Sequence, residues 1–317
     1  MPSPFGFSYG DGDPSHFLNG SGSFISASSV TLTGPITISG CATITGSLSV
    51  GNFSTGGYSL TLPASTSVRE RLSGSRVYYV RTDGNDSNNG LANTSGGALL
   101  TMQKAVDNIA ALDLNGYDAT IQVSAGTYAA TVTLKNAVGA GDIYITGDTT
   151  TPTNVVIDGK FVKSNSGTKY IIKGFKLIKS TSSATIAFDV TQGAYVTFGN
   201  IQFSTGWTDH VYCAYRGYVQ AVSNYEIAAS ASSSHLNIGQ GGQTVAAGIT
   251  ITLTGTPAFT QYIACRDLAY ALLVSVTYSG SATGSRYVVE RNAVVNTAGA
   301  TLPGNSAGTT GTGGIYA

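Results

Sequence analysis

Apolar and polar positions alternate along most of this chain, and the alternation comes in short bursts. "TQGAYVTFGNIQFS", Thr191 to Ser204, holds two bursts separated by Gly199 and Asn200. Alternation at period two marks strands with one buried face. Comparable bursts return from residue 170 onward as "YIIKGFKLI", "AYVTFGNIQF", "YVQAVSNYEI", "VAAGITITL" and "AYALLVSVTY". Aligning them puts Phe175, Ile201, Tyr225, Ile251 and Val276 in one column, with steps of 24 to 26 residues. A second column keeps pace: Gln192–Gly193, Arg216–Gly217, Gln240–Gly241, Arg266–Asp267 and Arg291–Asn292.

A repeat of this length holds two or three short strands with turns between them. That is one coil of a parallel β-helix, each coil lying about 4.8 Å above the last. The pattern predicts an all-β, right-handed parallel β-helix with about 25 residues per coil. Roughly seven coils would give a rod on the order of 35 Å long. A propeller or sandwich is the alternative at this period, but propeller blades need about 40–50 residues.

Ahead of the coils, Val77 to Arg81 reads as a strand and "DGNDSNNG", Asp83 to Gly90, as a turn. The turn superficially resembles a calcium loop. An EF-hand wants Gly at the sixth position and Glu at the twelfth, and Asn88 and Thr94 stand there instead. Leu100 to Leu112 is the convincing helix, since Met102, Ala105, Val106, Ile109, Ala110 and Leu112 form one apolar stripe. A single amphipathic helix before a long β region is expected to cover the raw end of the core. Period two resumes in "ATIQVSAGTYAATVTLKN", "DIYITGD" and "NVVIDG".

The first residues show a different repeat. In "VTLTGPITISGCATITGSLSVG" the glycines Gly34, Gly40, Gly46 and Gly51 close successive units. Leu32, Ile38, Ile44 and Val50 fall six residues apart. Strands this short need stacking on each other or on identical chains. The expected organisation is therefore residues 1–75 with six-residue β-repeats and a connector, 76–118 with leading strand, turn and capping helix, 119–300 as the β-helix, and 301–317 as a Gly/Thr-rich tail.

Composition sharpens this picture. Only 10% of the 317 residues are charged and the formal net charge is zero, where a compact domain carries about 25% charged residues. No nucleic-acid partner is expected. Of the sixteen Lys and Arg residues, twelve precede residue 180, and residues 180–317 hold four Arg and five acids. Such a rod is expected to hide a face against copies of itself, with a parallel homotrimer as the natural closed arrangement. No stretch is long and apolar enough for membrane insertion, and "MPSPFGFSYGDGD" lacks the basic and apolar regions of a signal peptide. Cys41, Cys213 and Cys265 read as buried free thiols. No metal site and no cofactor are expected.

Glycoside hydrolysis needs two carboxylates about 5–10 Å apart. Asp209, Glu226, Asp267 and Glu290 are the candidates, with Asp209 and Glu226 the catalytic ones. "GWTDHVYCAYRGY" is the most site-like stretch, because aromatic and polar groups together suit a sugar-binding face. Its candidates for glycan contact are Trp207, Asp209, His210, Tyr212, Tyr215 and Tyr218. Turn packing and self-association are the alternative use of the same residues. Lys160, Lys163, Lys169, Lys173, Lys176 and Lys179 read either as a solvated outer face or as a patch for anionic polysaccharide. The Arg residues of the turn column would need acids from a neighbouring chain.

The segment "YVRTDGNDSNNGLANTSGGALLTMQKAVDNIAALDLNGYDATIQVSAGTY" resembles the start of the β-helix in phage tail-fibre and tailspike proteins with a pectate-lyase-like fold. The matching pieces are "TMQKA", at the family's cap helix, and "TIQVSAGTY", at its first coil. "LPGNSAGTTGTGGIYA" resembles the end of such virion proteins. The resemblance spans about residues 76–317. It implies a homotrimeric virion component, assembled in host cytoplasm and attached to other virion proteins through residues 1–75, with host-surface polysaccharide as a further partner. The expected function is a structural fibre or spike on a phage head or tail. A tailspike depolymerase is the alternative, and a secreted adhesin a third reading. The family's sugar-cleaving members share no single catalytic motif, so no catalytic residue is carried across. Pectate-lyase calcium chemistry is disfavoured, because no aspartate column follows the coil period.

Overall fold

The computed structural model describes residues 69–180 and 185–317, together with a small antiparallel hairpin, His16–Leu18 with Phe24–Ser26. The six-residue repeats and Cys41 lie outside the described residues. The chain divides into two compact units, Met1–Ser65 and Thr66–Ala317.

The second unit is a parallel β-solenoid of about seven turns of ~26 residues with one helix, α1 (Met102–Ala110). Its register can be followed along one face. Ala119 pairs with Ile143, Ile143 with Tyr170, Tyr170 with Val196, and Val196 with Val219. The column goes on through Thr244, Ala271, Val295 and Tyr316. A second face stacks Phe175, Ile201, Tyr225, Ile251 and Tyr278. The third stacks Phe161, Phe188, Val211, Leu236, Ile263 and Tyr287. Gly174 (φ 82°) and Asn200 (φ 50°) bend the long strands Tyr170–Ile178 and Tyr195–Phe203 from the first face onto the second.

The ladder of Phe175, Ile201, Tyr225 and Ile251 follows the sequence columns, but its last member is Tyr278 rather than Val276. The coil from Leu236 to Ile263 is longer than the average turn, and its third-face strand carries a register irregularity between Ala258 and Gln261. A fixed sequence period cannot see residues absorbed at a bulge.

The turn column is also shifted in two coils. The left-handed pairs are Gln192–Gly193, Tyr215–Arg216, Gln240–Gly241, Asp267–Leu268 and Arg291–Asn292. Each joins the third face to the first. The second residue's N–H donates to the carbonyl of the first residue one coil on: Gly193 to Tyr215 at 3.0 Å, Arg216 to Gln240 at 3.2 Å, Gly241 to Asp267 at 2.9 Å, and Leu268 to Arg291 at 3.0 Å.

Helix α1 forms where the apolar stripe placed it. The Thr101 side chain caps it by accepting from Lys104 N, and Asp86 holds the cap by accepting from Leu100 N, Thr101 N and Thr101 Oγ1. The Asp/Asn-rich turn thus fastens the helix start. Met102, Ala105, Val106 and Ile109 are buried against the first coils.

Candidate glycan-contact surface

The stretch Trp207–Tyr218 crosses a corner of the solenoid, and the corner sorts its side chains. The strand Trp207–Cys213 lies on the third face, Tyr215–Arg216 make the turn, and Tyr218–Ala221 starts the first face. Trp207 is 2% exposed and sits in the core, its indole N–H directed at Leu177 O. His210 is fully buried and stacks on Phe203 at 4.8 Å. Asp209 is buried; it accepts from Ser234 N at 3.0 Å and from Asn237 Nδ2 at 3.2 Å. These three candidates therefore serve the interior and the strand-to-strand stacking. Tyr212 and Tyr218 are half-buried on the flanks and Tyr215 stands 54% exposed at the corner.

His210 belongs to an internal polar chain. Its Nδ1 lies 3.1 Å from Nδ1 of His235, whose Nε2 lies 2.8 Å from Tyr225 Oη. The protons run along this chain in one direction or the other. Either direction leaves His210 Nε2 without a partner among the described residues. Burial pushes the His210 pKa down to about 3 and that of His235 well below the ordinary histidine value.

Around the exposed corner the surface is lined by Ser166, Gln192, Gly193, Tyr215, Arg216 and Gln240. Next to the Tyr215 corner, Tyr218 meets Tyr195 edge-to-face at 4.7 Å, and Lys169 Nζ lies 5.7 Å from the Tyr195 ring while paired to Asp142. The other arginines of the column are neutralised within the chain. Arg266 pairs with Glu290 at 2.8 Å, and Arg291 with Glu290 at 2.8 Å and Asp267 at 3.2 Å. The need for acids from a neighbouring chain falls away there, because Glu290 sits one rung above Arg266.

Glu226 lies apart from Asp209, on the outward side of the second face. It borders a groove of about 370 Å³ walled by Thr149, Thr150, Pro152 and Thr153 on one side and by Asn200, Gln202, Asn224 and Thr252 along the floor. Its two oxygens accept from Gln202 Nε2 at 2.7 Å and Thr254 Oγ1 at 2.6 Å. Asp267 and Glu290 belong to the arginine cluster. The geometry does not bring Asp209 and Glu226 together as a pair.

The lysines divide as well. Lys160 pairs with Asp189 at 3.4 Å. Lys163 departs from the outer-face reading: it points inward, fully buried, in line with Val190 and Cys213. It donates to Asn136 Oδ1 at 2.7 Å and Asn165 Oδ1 at 2.9 Å, and burial lowers its pKa to about 8. Cys213 and Cys265 are buried free thiols, pushed up to about 12 by burial.

The groove was not legible from the sequence, because its wall is the turn around Asp148–Asn154, whose place depends on Asp148 accepting from Thr150 N, Thr151 N and Asn154 Nδ2. The corner was partly legible, through the tyrosines and the polar turn column.

No known protein family and no curated protein matches the sequence. Among solved structures, Escherichia coli YbhC is similar, with a TM-score of 0.44 and 13% identity over 76% of each chain. The architecture rests on this chain's own strand register: the second unit is a parallel β-solenoid.

Proposed function

We propose that this chain is a structural fibre or spike component of a bacteriophage particle, self-associating through the solenoid and touching host-surface glycans. The observation that carries the reading is the stack itself, in which parallel register runs unbroken along the first face from Arg76 to Tyr316. Its start carries the "TMQKA" and "TIQVSAGTY" pieces that resemble tail-fibre and tailspike proteins. An elongated stack with few charges suits a parallel trimer, and residues 1–75 suit the virion attachment. The mass of the purified chain in solution tests the trimer: a monomer overturns it. Particles that still carry a chain lacking residues 1–75 overturn the anchor.

One observation favours a second reading, a polysaccharide depolymerase: Glu226 borders the groove on the second face. Incubation with host capsule or lipopolysaccharide separates the two. New reducing ends that vanish in Glu226→Gln establish the depolymerase and remove the non-enzymatic reading.

A further inference from the structure

We infer that the Tyr215–Arg216 corner is a binding site for an acidic sugar, with Arg216 holding the sugar carboxylate and Tyr215 supplying a ring on which the pyranose lies. This deepens the glycan-contact reading above and rests on it.

Three features carry the inference. The first is charge. At the later corners Arg266, just ahead of its turn pair, and Arg291, within its pair, are each matched by carboxylates. Arg216 is exposed and forms no ion pair among the described residues. Its planar guanidinium is left to face solvent, and that group grips a carboxylate through two parallel hydrogen bonds.

The second is space. The coils on either side place glycine next to Arg216, Gly193 in one and Gly241 in the other. A methyl group at Gly241 would lie 3.8 Å from Arg216 Cγ. The missing side chains open the concavity, and Gln192, Gln240 and Ser166 border it with amide and hydroxyl groups suited to sugar hydroxyls.

The third is backbone. Tyr215 and Arg216 both adopt left-handed conformations, φ 51° and 63°. Such conformations are strained for a residue that carries a side chain. The flanking coils lower that strain with Gln–Gly pairs. At Tyr215–Arg216 the chain instead keeps two large side chains in strained positions, pointed outward and pinned by the rung hydrogen bonds Gly193 N to Tyr215 O and Arg216 N to Gln240 O. The same left-handed geometry without glycine recurs at Asp267–Leu268 and Arg291–Asn292, so the backbone fixes where Tyr215 and Arg216 point, and the unpaired charge sets this corner apart.

The test is titration calorimetry of the full-length protein with oligogalacturonate, oligoglucuronate and oligomannuronate, and with their methyl esters, which keep the sugar and remove the charge. At least one uronate is expected to bind ten-fold or more tightly than its ester. Arg216→Gln should reduce that affinity to the ester's, and Tyr215→Ala should weaken both. Arg216→Gly is the folding control: it relieves the left-handed strain, so its thermal midpoint should equal or exceed the parent's while uronate binding is lost. Equal binding of acid and ester, or unchanged uronate affinity in Arg216→Gln, overturns the acidic-sugar site while leaving glycan contact standing. If uronates and esters all fail to bind while host polysaccharide does, the inference fails alone. If host polysaccharide also fails to bind, the glycan-contact reading fails with it.

Discussion

At the scale of single residues, the most consequential groups face inward. His210 and His235 are neutral in the fold, and unfolding releases them to take up protons at the ordinary histidine pKa near 6.5. The unfolded chain therefore binds more protons as pH falls below about 6.5, and stability drops with pH towards about 3. Each histidine contributes a slope of up to about 1.4 kcal/mol per pH unit in that window. Denaturant midpoints measured between pH 7 and pH 4 should fall steeply, and His210→Leu should flatten the fall. A pH-independent midpoint would contradict the buried neutral pair. Leu268 offers a second residue-scale check. It holds φ 62° with 71% of its surface exposed. Glycine accepts that conformation without steric cost, at the expense of greater unfolded-state entropy. Leu268→Gly is expected to be stabilising by about 0.5–1 kcal/mol, read as a raised thermal midpoint.

At the scale of elements, the solenoid depends on what fills its bore and what closes its end. Phe161, Phe188 and Phe198 form a stacked run, with centroids 5.5 and 5.2 Å apart. Phe188 touches both neighbours, so Phe188→Ala should cost about 3–5 kcal/mol, measured by urea unfolding. The neighbouring coils cannot close on the gap, because their spacing is set by backbone hydrogen bonds. Helix α1 acts differently. Ile109 is fully buried where the helix covers the first coils. Ile109→Asp places a charge there and lifts the helix from the strand end, and exposed strand edges recruit other chains. The expected result is concentration-dependent aggregation, seen by light scattering, with the far-ultraviolet β signal largely kept.

At the scale of the whole molecule, the second unit gains its order by repetition. Each coil contacts mainly its neighbours, so stability sums over adjacent pairs. The 10% charged composition then bears on assembly, since few charges oppose contact between like chains. Sedimentation of the purified chain is expected to give three copies at micromolar concentration, with a salt dependence weaker than that of a charge-driven assembly. A single species at one-chain mass would remove self-association and leave the solenoid untouched.

Much of this was written in the sequence. Alternation at period two, recurring at coil spacing, fixes strands that can bury only one face, and only stacking can satisfy such strands. The apolar stripe from Met102 to Ile109 likewise fixed the cap. Tertiary structure decided the rest, for two physical reasons. Coils differ in length, so bulges and left-handed turns set the register; that moved Tyr278 into the ladder in place of Val276 and made Tyr215–Arg216 the corner. Polar side chains also have no intrinsic direction: Trp207, Asp209, His210 and Lys163 read as surface chemistry in the sequence, and each went inside once its neighbours supplied a ring or a hydrogen bond.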